Sequence, residues 1–147
     1  MNIGIKSVST YLPKNRINNQ EQANRLGVSG EFVLNKIGNI QLARKLPEEE
    51  TTDIAKKAAE KLFGKYKKLR EKLKCLIVIT QNPDGHGLPH SSAILHHKLG
   101  LSEECAVFDI SLGCSGFVQG LAIAKGFMES QGYSDGLLVT ADPYSKI

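Results

Sequence analysis

Cysteine is scarce in this sequence, and its spacing argues against two common kinds of small scaffold. The 147 residues include three cysteines, at Cys75, Cys105 and Cys114. An odd number without a C-x-x-C spacing argues against a disulfide framework and against a structural zinc site. The sequence therefore predicts free thiols in a reducing compartment and no bound metal.

Long apolar runs and a strong charge of one sign are also missing. The longest uninterrupted aliphatic run covers residues 76–79, which is far too short to cross a bilayer. Residues 1–5 show no basic leader before an apolar block, so we expect no secretory signal and predict a cytoplasmic protein. The net charge of +4 is too small and too scattered to predict nucleic-acid binding. We therefore expect neither a membrane nor a nucleic acid as a partner.

What the sequence does contain is typical of one compact α/β domain. Strands are predicted for four apolar segments, residues 2–10, 75–80, 106–112 and 136–141. Helices are predicted at residues 18–26 and 115–131. Three more are predicted to begin after Ser29, at a cap formed by Thr51 or Thr52, and around Pro89. This alternation predicts a mostly parallel sheet with helices on both faces. Residues 115–131 are apolar nearly all round, which predicts a buried central helix.

Cys114 is the residue with the strongest chemical signal. It lies where a buried strand turns directly into a helix, and the first N–H groups of a helix stabilise a thiolate. Gly113 and Gly116 leave room for a substrate to approach the sulfur. The same N–H groups could stabilise the oxyanion of an acyl intermediate. Free cysteine is also a common core residue, so position alone leaves the nucleophile and core readings open for Cys114. Cys75 and Cys105 are predicted to be core residues.

The segment around this cysteine resembles a known family. Residues 108–117, FDISLGCSGF, resemble the active-cysteine motif of beta-ketoacyl-acyl-carrier-protein synthase III, whose fold is thiolase-like. Other blocks are similar to that family in the same order, at residues 4–13, 31–38, 50–59, 80–89 and 141–146. The resemblance implies that residues 1–147 are the N-terminal thiolase-like half of a condensing enzyme, with the C-terminal half absent.

The resemblance implies a two-step acyltransferase reaction of fatty-acid or related biosynthesis. An acyl group moves from acyl-CoA, a substrate rather than a cofactor, to Cys114. The enolate formed by decarboxylation of malonyl-acyl-carrier protein then attacks the thioester. By the same resemblance, Phe32 and Lys36 bind the coenzyme, where the family normally carries tryptophan and arginine, and Leu88 reaches the acyl tunnel of a partner subunit. A solvated surface lysine remains an alternative for Lys36.

The histidine and asparagine that promote decarboxylation in the family belong to the half that this sequence lacks. Its four histidines, His86, His90, His96 and His97, match no catalytic position, and we expect them at the surface or at an interface. The chain alone is therefore expected to be inactive in full condensation. It is expected to form a homodimer or to associate with a second half, because an isolated half exposes apolar surface.

Two further readings stay open. The chain could be a non-catalytic truncated or association domain. It could also be a relative such as hydroxymethylglutaryl-CoA synthase or a polyketide-type condensing enzyme. A basic run at residues 65–74 could attract an acidic carrier protein, although such runs are more often solvated faces.

Overall fold

The protein, described by a computed structural model over residues 3–146, is built around a small parallel sheet. Its strands and α-helices are β1 (Arg16–Asn18), α1 (Asn19–Arg25), α2 (Gly30–Phe32), β2 (Gln41–Ala43), α3 (Thr51–Lys65), α4 (Leu69–Lys72), β3 (Cys75–Ile79), α5 (Ser91–Leu99), β4 (Ala106–Ile110), α6 (Gly116–Gln131) and β5 (Gly136–Thr140). A π-helical turn covers Val33–Ile37, and a 3-10 turn covers Tyr144–Lys146. Within residues 3–146, no helix has the length and apolar character needed to span a membrane.

The central sheet has the strand order β4-β3-β5, and both pairs of strands are parallel. The predicted α/β class is confirmed, because helices cover both faces of this sheet. Ile79, the last residue of β3, is level with Ile110 of β4 and Thr140 of β5. All three strands therefore end together, and the segments that follow them meet at one edge.

The first face of the sheet packs against α3 and α5. Leu76 and Val78 of β3 point to this face, and neither has measurable solvent exposure. Leu95 of α5 and Leu62 of α3 belong to the same cluster. Burial of continuous aliphatic surface is the main stabilising contribution here.

The second face packs against α6, but this helix is not buried in the chain. Its inner side contacts the sheet through Met128, which clusters with Cys75 and Ile77. Its outer side leaves Phe117 and Val118 48% and 69% exposed. The prediction of a helix buried all round is wrong for the described residues, because their sheet and helices cover only one side of it.

The opening strand predicted for residues 2–10 does not form in residues 3–10, and Asn2 lies outside the described residues. This segment runs beside α3 instead, where the Ser9 hydroxyl donates to the carbonyl of Ala58 at 2.7 Å. The Lys57 ammonium lies 5.1 Å from the centre of the Tyr11 ring. A helix surface offers no free ladder of N–H and C=O groups, so the segment does not pair as a strand there.

The start of α3 is capped differently from the prediction. The N-cap residue is Glu50, whose N–H donates to Asp53 Oδ2 at 2.9 Å, while the N–H of Asp53 donates to the backbone carbonyl of Glu50 at 3.1 Å. Thr51 and Thr52 are buried inside the first turn, and the N–H of Thr52 donates to Asp84 Oδ1 at 2.9 Å. The threonines tie the helix to the loop after β3 rather than cap it. Pro89 also lies outside its predicted helix, since α5 begins at Ser91.

Candidate functional site

Cys114 lies in the tight turn between β4 and α6. The N–H of Gly116 donates to the carbonyl of Gly113 at 2.8 Å, which closes the turn around Cys114. The thiol is exposed to solvent. An exposed sulfur at the start of a 16-residue helix is accessible to a ligand and lies near unpaired helix N–H groups.

The other two cysteines have the opposite surroundings. Cys75 and Cys105 are 1% and 5% exposed. Burial raises the pKa of the Cys75 thiol to about 11, and it raises the pKa of Cys105 as well. Both side chains are neutral core groups at neutral pH, so their predicted core role is confirmed.

Glycines bring the helix close to the sheet beside the cysteine. A Cβ added to Gly116 would lie 2.5 Å from Ile79 Cγ2, and one added to Gly120 would lie 2.4 Å from Ile79 Cδ1. A Cβ added to Gly113 would lie 2.7 Å from Gln81 Oε1. A side chain at Gly116 or Gly120 would push α6 away from β3, and a side chain at Gly113 would displace the amide of Gln81. The glycines of α6 therefore set the distance between the start of this helix and the sheet.

A pocket of about 270 Å³ opens beside the sulfur. Its wall is formed by the carboxyl ends of β3 and β5 and by the start of α6, through Ile79, Gly113, Cys114, Phe117, Thr140, Ala141, Asp142 and Tyr144. The pocket therefore combines apolar surface with a carboxylate and a phenol. Sequence analysis identified Cys114 in this set but did not predict the contribution of the segment after β5 to the same pocket.

Asp142 organises the edge of the sheet next to the pocket. Its Oδ1 accepts from the N–H of Gln81 at 2.8 Å, from the Thr80 hydroxyl at 3.1 Å and from the Asn82 amide at 3.1 Å. The Tyr144 hydroxyl donates to Gln81 Oε1 at 3.1 Å. The segments after β3 and β5 are thereby held together beside the cysteine turn.

Asp109, inside the cysteine motif, also has a role that the sequence did not reveal. Its two carboxylate oxygens accept from the N–H groups of Ser91 and Ser92, each at 2.7 Å. A carboxylate at this position satisfies the first donors of α5 and interacts favourably with the helix dipole. Asp109 therefore joins β4 to α5 and lies on the strand that leads to Cys114.

The other predicted site residues lie apart from this pocket. Phe32 ends α2 and is 48% exposed, and Lys36 lies on the exposed side of the π-helical turn. Leu88 is 88% exposed. None of the three lines the 270 Å³ pocket, so the structure of this chain leaves their predicted roles as predictions.

The histidines and the basic run lie outside the pocket beside Cys114. His86, His90 and His97 are exposed, and His96 Nε2 lies 2.9 Å from the carbonyl of Ser102. Among residues 3–146, no group of three or more His, Cys, Asp or Glu side chains could hold a metal ion. In the basic run, Arg70 Nη2 donates to both carboxylate oxygens of Glu60, at 2.8 and 2.9 Å.

Comparison with the sequences of known proteins relates this chain to one enzyme family. The sequence model of the family described as 3-Oxoacyl-[acyl-carrier-protein (ACP)] synthase III matches residues 108–147. A beta-ketoacyl-[acyl-carrier-protein] synthase III from Helicobacter hepaticus is 33% identical over 143 residues, which are 97% of this chain and 43% of that protein. The chain belongs to the 3-oxoacyl-[acyl-carrier-protein] synthase III family. The predicted family resemblance is confirmed.

Solved structures of synthase III proteins share this fold. A 3-oxoacyl-(acyl-carrier-protein) synthase III crystal structure aligns with a TM-score of 0.88 and 36% identity over 97% of this chain and 42% of its own chain. The synthase III from Thermus thermophilus aligns with a TM-score of 0.89 and 28% identity over 99% of this chain and 44% of its own. The chain thus spans less than half the length of the synthase III proteins it matches.

Proposed function

We propose that this chain is the N-terminal, acyl-accepting half of a synthase III-type condensing enzyme. The observation that carries the proposal is the exposed Cys114 thiol, which lies at the start of α6 and lines the 270 Å³ pocket. Membership of the synthase III family supplies the reaction class, an acyl transfer that begins a condensation.

In the proposed first step, the Cys114 thiolate attacks the thioester carbonyl of acyl-CoA. The carbon–sulfur bond to the coenzyme breaks, a new thioester forms on Cys114, and the coenzyme leaves as its thiolate, which takes a proton from solvent. N–H groups at the turn, including that of Cys114, stabilise the negative oxygen of the tetrahedral intermediate. The nucleophile and these donors lie on one rigid turn, which supports this assignment.

The second step needs groups outside this chain. Condensation with malonyl-acyl-carrier protein requires the decarboxylation of the malonyl group, and we assign that chemistry to a second half with the family's histidine and asparagine. We propose that the exposed side of α6, with Phe117, Val118 and Ile123, packs against that half or within a dimer. Its apolar character supports the assignment, because large exposed apolar patches mark interaction surfaces.

Three exposed residues are proposed to contact the substrate in the assembled enzyme. Phe32 stacks on the coenzyme's base, and Lys36 meets a phosphate as a point charge, without the planar fork of arginine. Leu88 is proposed to enter the acyl tunnel of a partner subunit. The high exposure of Leu88 and Phe32 in the isolated chain supports these roles, because both side chains are free to meet a ligand or a second subunit.

Intact-protein mass spectrometry with a panel of acyl-CoAs tests the proposal. We expect the wild-type chain, supplied with a second half where needed, to gain one acyl mass that hydroxylamine removes. Cys114→Ala should gain none. Cys105→Ala is the matched control, because its thiol is buried, and it should acylate like the wild type. The absence of an adduct on Cys114 with every acyl-CoA tested would contradict the proposal.

A non-catalytic association domain is the second candidate, favoured by the same exposed side of α6. In that case the chain would bind a partner through Phe117 and Val118 without accepting an acyl group. Co-purification with a second half, together with an unmodified Cys114 after incubation with acyl-CoA, would support this candidate over the first.

A further inference from the structure

We propose that Gln81 is a positioning residue for Cys114, held in place by Asp142 and Tyr144. The proposal rests on the proposed function only for the identity of the nucleophile. Gln81 is not part of the cysteine motif, and it does not line the 270 Å³ pocket. It acts through the backbone that carries the sulfur.

The first step of the argument is the fixed position of Gln81. Its backbone N–H donates to Asp142 Oδ1 at 2.8 Å, and its side-chain Oε1 accepts from the Tyr144 hydroxyl at 3.1 Å. Asp142 is held in turn by the Thr80 hydroxyl and the Asn82 amide, each at 3.1 Å. The hydrogen bond to Asp142 fixes the backbone of Gln81, and the hydrogen bond from Tyr144 favours the rotamer that carries its amide to Gly113.

The second step is the contact between Gln81 and the cysteine turn. Gln81 Oε1 lies where a Cβ of Gly113 would be only 2.7 Å away. The amide group of Gln81 therefore packs directly on the Gly113 backbone, which precedes Cys114. Gly116 packs on Ile79 from the other end of the turn. The turn is thus supported at both ends by the terminal part of one strand and the two residues that follow it.

The consequence concerns the precision of the site. A nucleophile must be held within about 0.5 Å of its productive position, and its supporting groups decide whether it is. The hydrogen bond from Tyr144 links the pocket wall to Gln81, so the wall and the nucleophile keep a fixed relation. Without Gln81, the turn would open locally while the sheet and α6 stay folded.

Hydrogen exchange of the Gly116 N–H, which donates to the carbonyl of Gly113, and alkylation of Cys114 by iodoacetamide, both on the full chain, test the inference. In Gln81→Ala we expect exchange to accelerate about fivefold, as loss of one net hydrogen bond predicts. Alkylation should slow by a similar factor, because the sulfur leaves the start of α6. Tyr144→Phe, which removes only the donor, should give a smaller change in the same direction.

Two further variants separate positioning from a general effect on folding. Gln81→Glu keeps the acceptor oxygen, so the Gly116 N–H should exchange at the wild-type rate in this variant. Gln119→Ala, an exposed glutamine on α6, should leave exchange and alkylation unchanged. Wild-type exchange and alkylation rates in both Gln81→Ala and Tyr144→Phe would overturn the inference. A missing acyl adduct on the wild-type chain would contradict the proposed function alone.

Discussion

The two faces of the central sheet differ in how completely this chain covers them. On the first face, Leu76, Val78 and Leu95 have no measurable exposure, because α3 and α5 close over them. On the second face, α6 covers the sheet with its inner side and leaves Phe117 and Val118 in solvent. The first face is fully covered within this chain. The second face is covered by α6, the helix that follows the candidate nucleophile, and the outer side of α6 is an apolar surface suited to a partner.

The largest effect should come from a cavity in the core on the first face. Leu76→Ala removes a fully buried side chain, and we expect a loss of about 3 kcal/mol in the free energy of unfolding. Urea denaturation followed by circular dichroism measures it. A loss below about 1 kcal/mol would show that the first face is less tightly packed than the structure indicates.

A smaller effect is expected where α6 meets the sheet. Gly116→Ala places a methyl group 2.5 Å from Ile79 Cγ2 and should destabilise the protein by about 2 kcal/mol. Gly126→Ala on the same helix meets nothing within 4 Å and should stabilise it by about 0.5 kcal/mol. Both are measured by denaturation. Equal effects of the two substitutions would contradict the close packing of α6 on β3.

The smallest effect on folding, together with a clear effect on association, is expected on the outer side of α6. Val118→Asn changes a residue that is 69% exposed, so its free energy of unfolding should stay within about 0.5 kcal/mol of the wild type. Light scattering over a concentration series should show weaker self-association than in the wild type. If the wild-type chain is monomeric at high concentration, the proposed packing of this surface within a dimer is wrong.

Local patterns predicted those parts of the fold that depend on neighbours in sequence. The aliphatic runs at β3, β4 and β5 gave the three parallel strands, and Asn18 and Ser29 cap α1 and α2 through their side chains. The short pair β1 and β2 was missed, because three residues each carry too little pattern and the pairing joins Arg16 to Ala43. The burial of α6 was overestimated, since a helix with an apolar outer side has the same sequence whether or not its partner is present.

Only part of the candidate site could be predicted from the sequence. Cys114 stands out because strand, glycines and helix are consecutive in the chain. Gln81, Asp142 and Tyr144 were not identified, because their hydrogen bonds depend on which residues of β3 and β5 end side by side. Asp109 was recognised as part of a motif, but its capping of α5 follows only from the fold.

The level ending of the three strands has one more consequence. Gln81 and Asp142 each lie two positions beyond the paired residues Ile79 and Thr140, and Leu112 lies two beyond Ile110. Inserting or deleting a single residue just after any of these strands would move Gln81, Leu112 or Asp142 relative to the other two. It would not remove any apolar side chain from the core. Such a protein would keep its helices and its core and lose the arrangement around the sulfur. Variation in the length of these connections is therefore a more sensitive guide than sequence identity to whether a related chain keeps the site.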